Sequence, residues 1–379
     1  MITQNMKKFF ANRYRVLSCA FVVVLVTPTV MFPVLKNTLR TELGELNENR
    51  NLAKFQRNFN HFGTAVEDYY NDHIPFRKSF IKLYTKIQDK LTGNISKAIE
   101  DITGEPPLVI ENGVIYGKND WLFYNDNGAI NDYLGNNLIT NDEMQNITDV
   151  FVEIDELLFS VGKKFVVQIC PNKEQIYAEF MPNAYKVLTE YKRADRFVDY
   201  VRQNSRVQIA YAKTELLQNK AQGHENYYRS DTHHNSLGAY INYRALAQKI
   251  GLNPPAPENL TITEKPIPDI GDLASMILKP SYDEYSKDFD IDYNPTKTAK
   301  TVHVLGDSFF INPRPILSKQ LEFMQKDFEN VTYQHYQGEH NTANITDADV
   351  IVFEMVERMQ WAMYDSAVRI LETLKEIYG

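Results

Sequence analysis

At 379 residues, with 43% hydrophobic and 24% charged side chains and only 16 Gly and 16 Pro, the chain has the composition of a folded protein of two to three domains. That excludes a disordered tail or a collagen-like repeat. The formal net charge is −8, yet the first 40 residues hold Lys7, Lys8, Arg13, Arg15, Lys36 and Arg40 and no acid, so the rest sets 35 basic against 49 acidic side chains and carries −14. A body that acidic argues against nucleic acid as a partner, because phosphate contacts need a basic face.

Val16 to Leu35 is a run of 20 residues without a charge, long enough at 1.5 Å per residue to cross a hydrocarbon core of about 30 Å. Basic residues precede it and acids begin at Glu42, so the positive-inside bias places residues 1–15 in the cytoplasm, 16–35 in the membrane as an uncleaved anchor, and the remainder outside. The competing reading is a cleaved signal peptide, but Thr27 to Pro33 offers no small-x-small cleavage site. Residues 36–105 read as a helical lead-in: Phe55, Phe59, Phe62, Val66 and Tyr70, then Phe80, Leu83, Ile87 and Leu91, recur every three to four positions, and Pro75 splits the run into two helices.

The globular part, 106–379, opens with a small β-meander. Asn112-Gly113 is a hairpin signal between Leu108–Ile110 and Val114–Tyr116, and a second turn precedes Trp121–Tyr124. Then helices alternate with short apolar runs. The helix stripe of Ile147, Phe151, Ile154 and Leu158 precedes a buried strand at 164–169. A helix at 193–203, a strand at 207–210 and a helix at 236–250 follow, and later come a strand at 301–305, a helix at 315–328, strands at 331–335 and 350–353, and a closing helix at 363–377. That order predicts an α/β fold with a mainly parallel sheet flanked by helices. Residues 253–257 and 279–298 lack periodicity and read as surface loops. The two cysteines, Cys19 and Cys170, lie in unrelated segments, so neither a disulfide framework nor a cysteine zinc site is available, and Cys170 reads as buried packing.

In open α/β sheets ligands bind at the carboxyl ends of the strands, and two clusters fall there. The apolar run Thr301–Leu305 ends in Gly306-Asp307-Ser308, a tight turn whose N–H groups could face an oxyanion. Before the helix of 236–250 stands Asp231-Thr232-His233-His234-Asn235. In an extended segment Asp231 and His233 share one side, so the carboxylate could orient the imidazole while its other nitrogen faces Ser308. Each cluster also has a plain reading, a common turn tripeptide and a helix entry capped by Asn235. His234 is expected to point away, and no metal site is expected.

The serine cluster resembles the serine block of SGNH hydrolases. Asp231-Thr232-His233 resembles the Asp-x-His block of the alginate O-acetyltransferase family of the AlgX and AlgJ type, in which, as here, Asp and His precede the serine. Gly117 to Tyr124, Pro171-Asn172-Lys173 with Tyr177 and Pro182, Gly271 to Ala274, and Val350 to Arg358 extend the resemblance over about Pro107 to Gln360. It implies an SGNH-hydrolase-like domain that transfers acetyl groups to an exopolysaccharide outside the cytoplasm. It also implies Ser308 as nucleophile, His233 as base then acid, Asp231 as its partner, and Asn172, Lys173, Tyr177 and Arg358 as oxyanion or substrate residues. No cofactor is implied; a membrane-bound O-acyltransferase is the implied source of acetyl groups. Glu354 and Arg358 match a Glu-x-x-x-Arg stretch, read here as a structural ion pair. The chain departs from the family at His234, where an aromatic is usual, and is expected to lack a C-terminal carbohydrate-binding domain. An acetylesterase with the same triad and a noncatalytic glycan-binding protein remain the alternatives.

Overall fold

The structure, a computed structural model, describes residues 107–267, 271–311 and 319–379. The expected anchor and helical lead-in lie outside the described residues; among those described, no helix is long and apolar enough to cross a membrane.

Strands β1 (Ile110–Glu111), β2 (Val114–Tyr116) and β3 (Leu122–Tyr124) form the antiparallel meander that the turn residues predict. Asn112 and Gly113 both take positive φ, 47° and 78°, the pairing that a two-residue hairpin of matching twist requires. Helix α1 (Asn127–Leu134) and the long α2 (Asn141–Ser160) follow. Helix α2 starts at a reciprocal capping box, in which the Thr140 hydroxyl accepts from the Glu143 amide and the Glu143 carboxylate accepts from the Thr140 amide.

The main sheet has five strands, all parallel. They are β4 (Lys164–Cys170), β5 (Gln208–Tyr211), β8 (Thr298–Gly306), β9 (Phe328–His335) and β10 (Val350–Val356), in the spatial order β5-β4-β10-β8-β9. Each central strand is buried on both faces and mostly apolar, as a sheet covered on both sides demands. Along β10, Val350, Val352 and Val356 join the core beneath α6 (Ser236–Ile250), while Ile351, Phe353 and Met355 join the core beneath α2, α4 (Arg193–Asn204) and α10 (Met363–Tyr378). The remaining helices are α3 (Lys173–Ile176), α5 (Lys213–Ala221), α7 (Asp272–Met276), α8 (Gln320–Asp327) and α9 (Thr342–Asp347). The α/β fold with a parallel sheet is thus as expected.

One expected surface loop is not a loop. Residues 279–298 contain a 3-10 turn, Pro280–Tyr285, and strand β7 (Lys287–Asp292), which pairs antiparallel with β6 (Thr261–Pro266). Only Phe289 and Ile291 supply an apolar alternation in β7, and β6 is largely exposed, so periodicity carries almost no signal for either. The pair of strands secures the start of α6. Fully buried, the Asp288 carboxylate accepts from the amide and hydroxyl of Ser236 at 2.9 and 2.5 Å. The expected helix at 315–328 is α8, beginning at Gln320; residues 312–318 lie outside the described part.

Candidate active site

Ser308 stands at the carboxyl end of β8, on a turn fixed from below. The Asp307 carboxylate accepts from the amides of Phe309 and Val356, both at 2.8 Å, tying the turn to the end of β10. The Asp307 amide donates to Glu354 Oε2 at 2.8 Å. A Cβ on Gly306 would sit 2.7 Å from that same oxygen, so a larger residue here would have to displace the Glu354 carboxyl. Burial, then the Asp307 charge, pushes the Glu354 carboxyl well above the usual carboxylate range, which favours its protonated form under the turn. Among the described residues Glu354 makes no ion pair with Arg358: its Oε2 is turned to the Asp307 amide. A four-residue spacing makes a pair on a helix, whereas here β10 ends between the two at Val356. The Ser308 amide makes no hydrogen bond among the described residues, so it remains free to donate to a ligand.

His233 reaches Ser308 across the sheet edge, with Nε2 2.9 Å from Oγ. Its Nδ1 lies 2.7 Å from Asp231 Oδ1, and the His233 amide donates to the same oxygen at 2.9 Å. The two-residue spacing therefore works through an Asx-type turn, not through the extended segment that alternation suggests. Because Nδ1 faces only acceptors, Asp231 Oδ1 and the Thr232 hydroxyl at 3.2 Å, the proton belongs on Nδ1 and Nε2 is free to accept. Asn235 caps α6 as well, its side chain accepting from the amides of Leu237 and Gly238, so the helix-entry reading and the Asp-x-His reading both hold geometrically. His234 turns into the core, edge-on to Tyr227 and Phe309, and burial brings it down to about 3, leaving it neutral.

Ser308 opens into a cavity of about 520 Å³ at the carboxyl edge of the sheet. Its walls include Ile311, Tyr333, Tyr336, Gln337, Arg358 and Met359, and the Arg358 guanidinium lies 5.2 Å from the centre of the Phe309 ring. Of the four residues expected to bind the oxyanion or substrate, only Arg358 lines this cavity. Asn172, Lys173 and Tyr177 are buried and do not line it. Lys173, brought down to about 8 by burial, donates to the carbonyls of Tyr228, Arg229 and Asp231, which fixes the backbone that carries Asp231. Tyr177 stacks on Trp121 with ring centres 4.0 Å apart and accepts from the Asn226 amide at 2.7 Å. A buried lysine looks like a ligand group in sequence, and nothing in the residue string tells a carbonyl clamp from a substrate clamp. The cavity wall from Tyr333 to Gln337, at the end of β9, was not foreseen, because it carries no motif.

Asn172 belongs to a second buried network. Its amide donates to Glu357 Oε2 at 2.7 Å, its Nδ2 to Asp132 at 3.3 Å, and its Oδ1 accepts from the Arg358 amide at 3.2 Å. Burial raises Asp132 from 3.8 to about 7 and Glu357 from 4.5 to about 8. Each folded-state acid holds its proton more tightly than the unfolded chain does, so their contribution to stability is complete below about pH 4 and is lost as pH rises towards 8. The expected result is a chemical-denaturation midpoint that falls between about pH 5 and 8, with a shallower fall in Glu357→Gln; equal slopes in the two proteins would refute the assignment.

Asp231, His233 and Asp272 also bring potential ligand atoms within 4.8 Å of one another. Both ring nitrogens of His233 are already engaged, with Asp231 and Ser308, so the donor set fits a proton relay better than a metal ion.

Residues 114–321, more than half of the chain, match the family model of the SGNH hydrolase-like domain of acetyltransferase AlgX. The chain belongs to that family. Among solved structures, this AlgX-family chain is similar to the O-acetyltransferase domain of Pseudomonas putida AlgJ, at 18% identity over 67% of this chain and 99% of that one, with a TM-score of 0.44. It is also similar to Pseudomonas aeruginosa AlgX, at 15% identity over 68% and 66% of the two chains and a TM-score of 0.45. For Bacillus cereus PatB1 the values are 12% over 67% and 96%, with a TM-score of 0.43. No curated protein matches.

Proposed function

We propose that this AlgX-family chain is an extracytoplasmic O-acetyltransferase that moves acetyl groups onto polysaccharide hydroxyls through an acetyl ester on Ser308. The observation that carries this reading is the unbroken relay from Asp231 Oδ1 through both nitrogens of His233 to Ser308 Oγ, opening on a cavity large enough for a sugar unit.

In the first half-reaction Ser308 Oγ attacks the acetyl carbonyl and His233 Nε2 takes its proton. The carbonyl oxygen gains charge facing the Ser308 amide, and collapse expels the donor's leaving group, which receives the proton from His233. In the second, a sugar hydroxyl gives its proton to His233 and attacks the ester; collapse returns that proton to Ser308 Oγ. Asp231 keeps the proton of His233 on Nδ1 throughout and balances the imidazolium charge. Val16 to Leu35 would anchor the chain in the membrane with the domain on the far side, where a membrane-bound O-acyltransferase would supply acetyl groups.

The test is incubation with p-nitrophenyl acetate followed by intact-mass measurement, with and without an oligosaccharide acceptor. Wild type is expected to gain about 42 Da and to lose it when acceptor is added, with the acetyl group recovered on sugar; Ser308→Ala is expected to gain nothing. A wild-type adduct released equally fast to water alone would indicate an esterase. An adduct that persists in Ser308→Ala would reject the nucleophile.

A further inference from the structure

We propose that Asp272 is a second positioning carboxylate for His233, acting together with Asp231 when the imidazole takes up its proton. The inference rests on the relay reading above, and it concerns a residue outside the triad, on a separate element.

Asp272 opens α7 and meets the catalytic strap head-on. Its amide donates to Asp231 Oδ2 at 2.7 Å, so it occupies the carboxylate oxygen that His233 does not use. Its own Oδ1 accepts from the Thr232 amide at 2.7 Å and its Oδ2 from the Thr232 hydroxyl at 2.5 Å. Two further residues of this element and its surroundings hold the same strap: the Ala274 amide donates to the Ser230 carbonyl at 3.1 Å, and Asp283 accepts from the Ser230 hydroxyl. Held in this way, Asp272 Oδ2 stands 3.7 Å from His233 Nδ1, beyond hydrogen-bond reach but well within electrostatic reach.

Every donor to the two carboxylates favours their ionised forms, and both oxygens of Asp272 already accept from Thr232. The other groups around the ring are few. Ser308 and Phe309 face it from the β8 turn, His234 follows it on the strap, Lys173 reaches the Asp231 carbonyl from α3, and Arg358 lies over Phe309 from the turn after β10. When Nε2 takes the proton of a hydroxyl, the new positive charge spreads over a ring whose Nδ1 lies 2.7 Å from one carboxylate and 3.7 Å from the other. A neutral imidazole gains nothing from the second anion. An imidazolium gains a Coulombic term already in place before the reaction, which is the kind of stabilisation that lowers a barrier. Burial, and then the charge of Asp231, raise the Asp272 carboxyl; the charge of His233 and the Thr232 bonds act the other way, so protonation of the ring itself favours the Asp272 anion.

Asp272→Asn separates charge from shape, since the amide oxygen can still accept from the Thr232 amide. In Asp272→Asn the acetylation rate with p-nitrophenyl acetate is expected to fall about tenfold at neutral pH with KM unchanged, and the acid limb of the pH–rate profile to move about one pH unit down. Asp272→Glu, which restores the charge, is expected to recover most of both. NMR titration of the His233 ring in the same proteins follows the proton directly and needs no turnover: protonation in Asp272→Asn is expected at lower pH than in wild type. Superimposable ring titrations would overturn the inference, as would a rate loss in Asp272→Asn with an unmoved pH profile, which would mark Asp272 as a structural clasp alone. A wild-type protein that never acquires acetyl on Ser308 overturns the functional reading instead, and the ring titration still decides the part played by Asp272.

Discussion

Asp231→Asn is expected to lower acetyl turnover by roughly 10³ to 10⁴, and His233→Ala at least as far, in proteins that remain folded. The carboxylate accepts from both the ring and the amide of His233, and only an acceptor at that point keeps the ring proton on Nδ1. An asparagine can turn its NH2 towards Nδ1, which drives the proton to Nε2. The ring would then face the Ser308 hydroxyl with a donor where an acceptor is needed. The same exchange in a Ser-His-Asp hydrolase costs about 10⁴. A smaller loss, nearer 10³, is the lower bound because the nearby Asp272 still balances part of the imidazolium charge. Single-turnover release of p-nitrophenol, with circular dichroism to verify folding, measures it. A loss below tenfold in folded Asp231→Asn would remove Asp231 from the relay.

Trp121→Ala is expected to cost about 3–5 kcal/mol of stability, the range for emptying a buried aromatic site. Trp121 is 1% exposed and lies against Tyr177 and Phe180, with ring centres 4.0 and 5.1 Å away. The Lys173 ammonium and the Arg229 guanidinium lie 5.7 and 5.6 Å from its ring centre. The effect extends beyond the cavity left behind. Lys173 holds the Asp231 carbonyl, and the neighbouring Leu122 amide donates to the Arg229 carbonyl at 2.9 Å, so the meander braces the strap that carries the relay. Turnover in Trp121→Ala should therefore fall under conditions where the protein is still fully folded. Urea unfolding followed alongside single-turnover rates checks both, with Trp121→Phe as the milder comparison; an unchanged urea midpoint would contradict the packing argument.

The parallel sheet, the meander and the meeting of Asp231, His233 and Ser308 were legible because each leaves a local mark. Continuous apolar runs mark strands buried on both faces, Asn112-Gly113 marks a hairpin, and Gly306-Asp307-Ser308 marks a turn after a strand. What failed to show depends on pairings distant in sequence. Strands β6 and β7 pair across some twenty intervening residues and bury little. Asp272 reaches Thr232 over forty positions, and its segment stood out only through family resemblance. Lys173 and Arg358 look equally suited to a substrate, but which of two cations faces the cavity is decided by where β4 and β10 end relative to the turn of Ser308.

The place of β10 between β4 and β8 also bears on how the chain is made. Synthesis at about 5–20 residues per second puts roughly 10–40 s between the emergence of Cys170 and that of Val350, since 180 residues separate them. Until Val350 to Val356 has emerged, β4 and β8 each lack the native partner for one edge, and that edge stays unpaired. Closure waits for the last strand to slot between them, a long-range step of the slow kind. Holding the nascent chain apart from its neighbours until then is a demand that the strand order alone places on the cell.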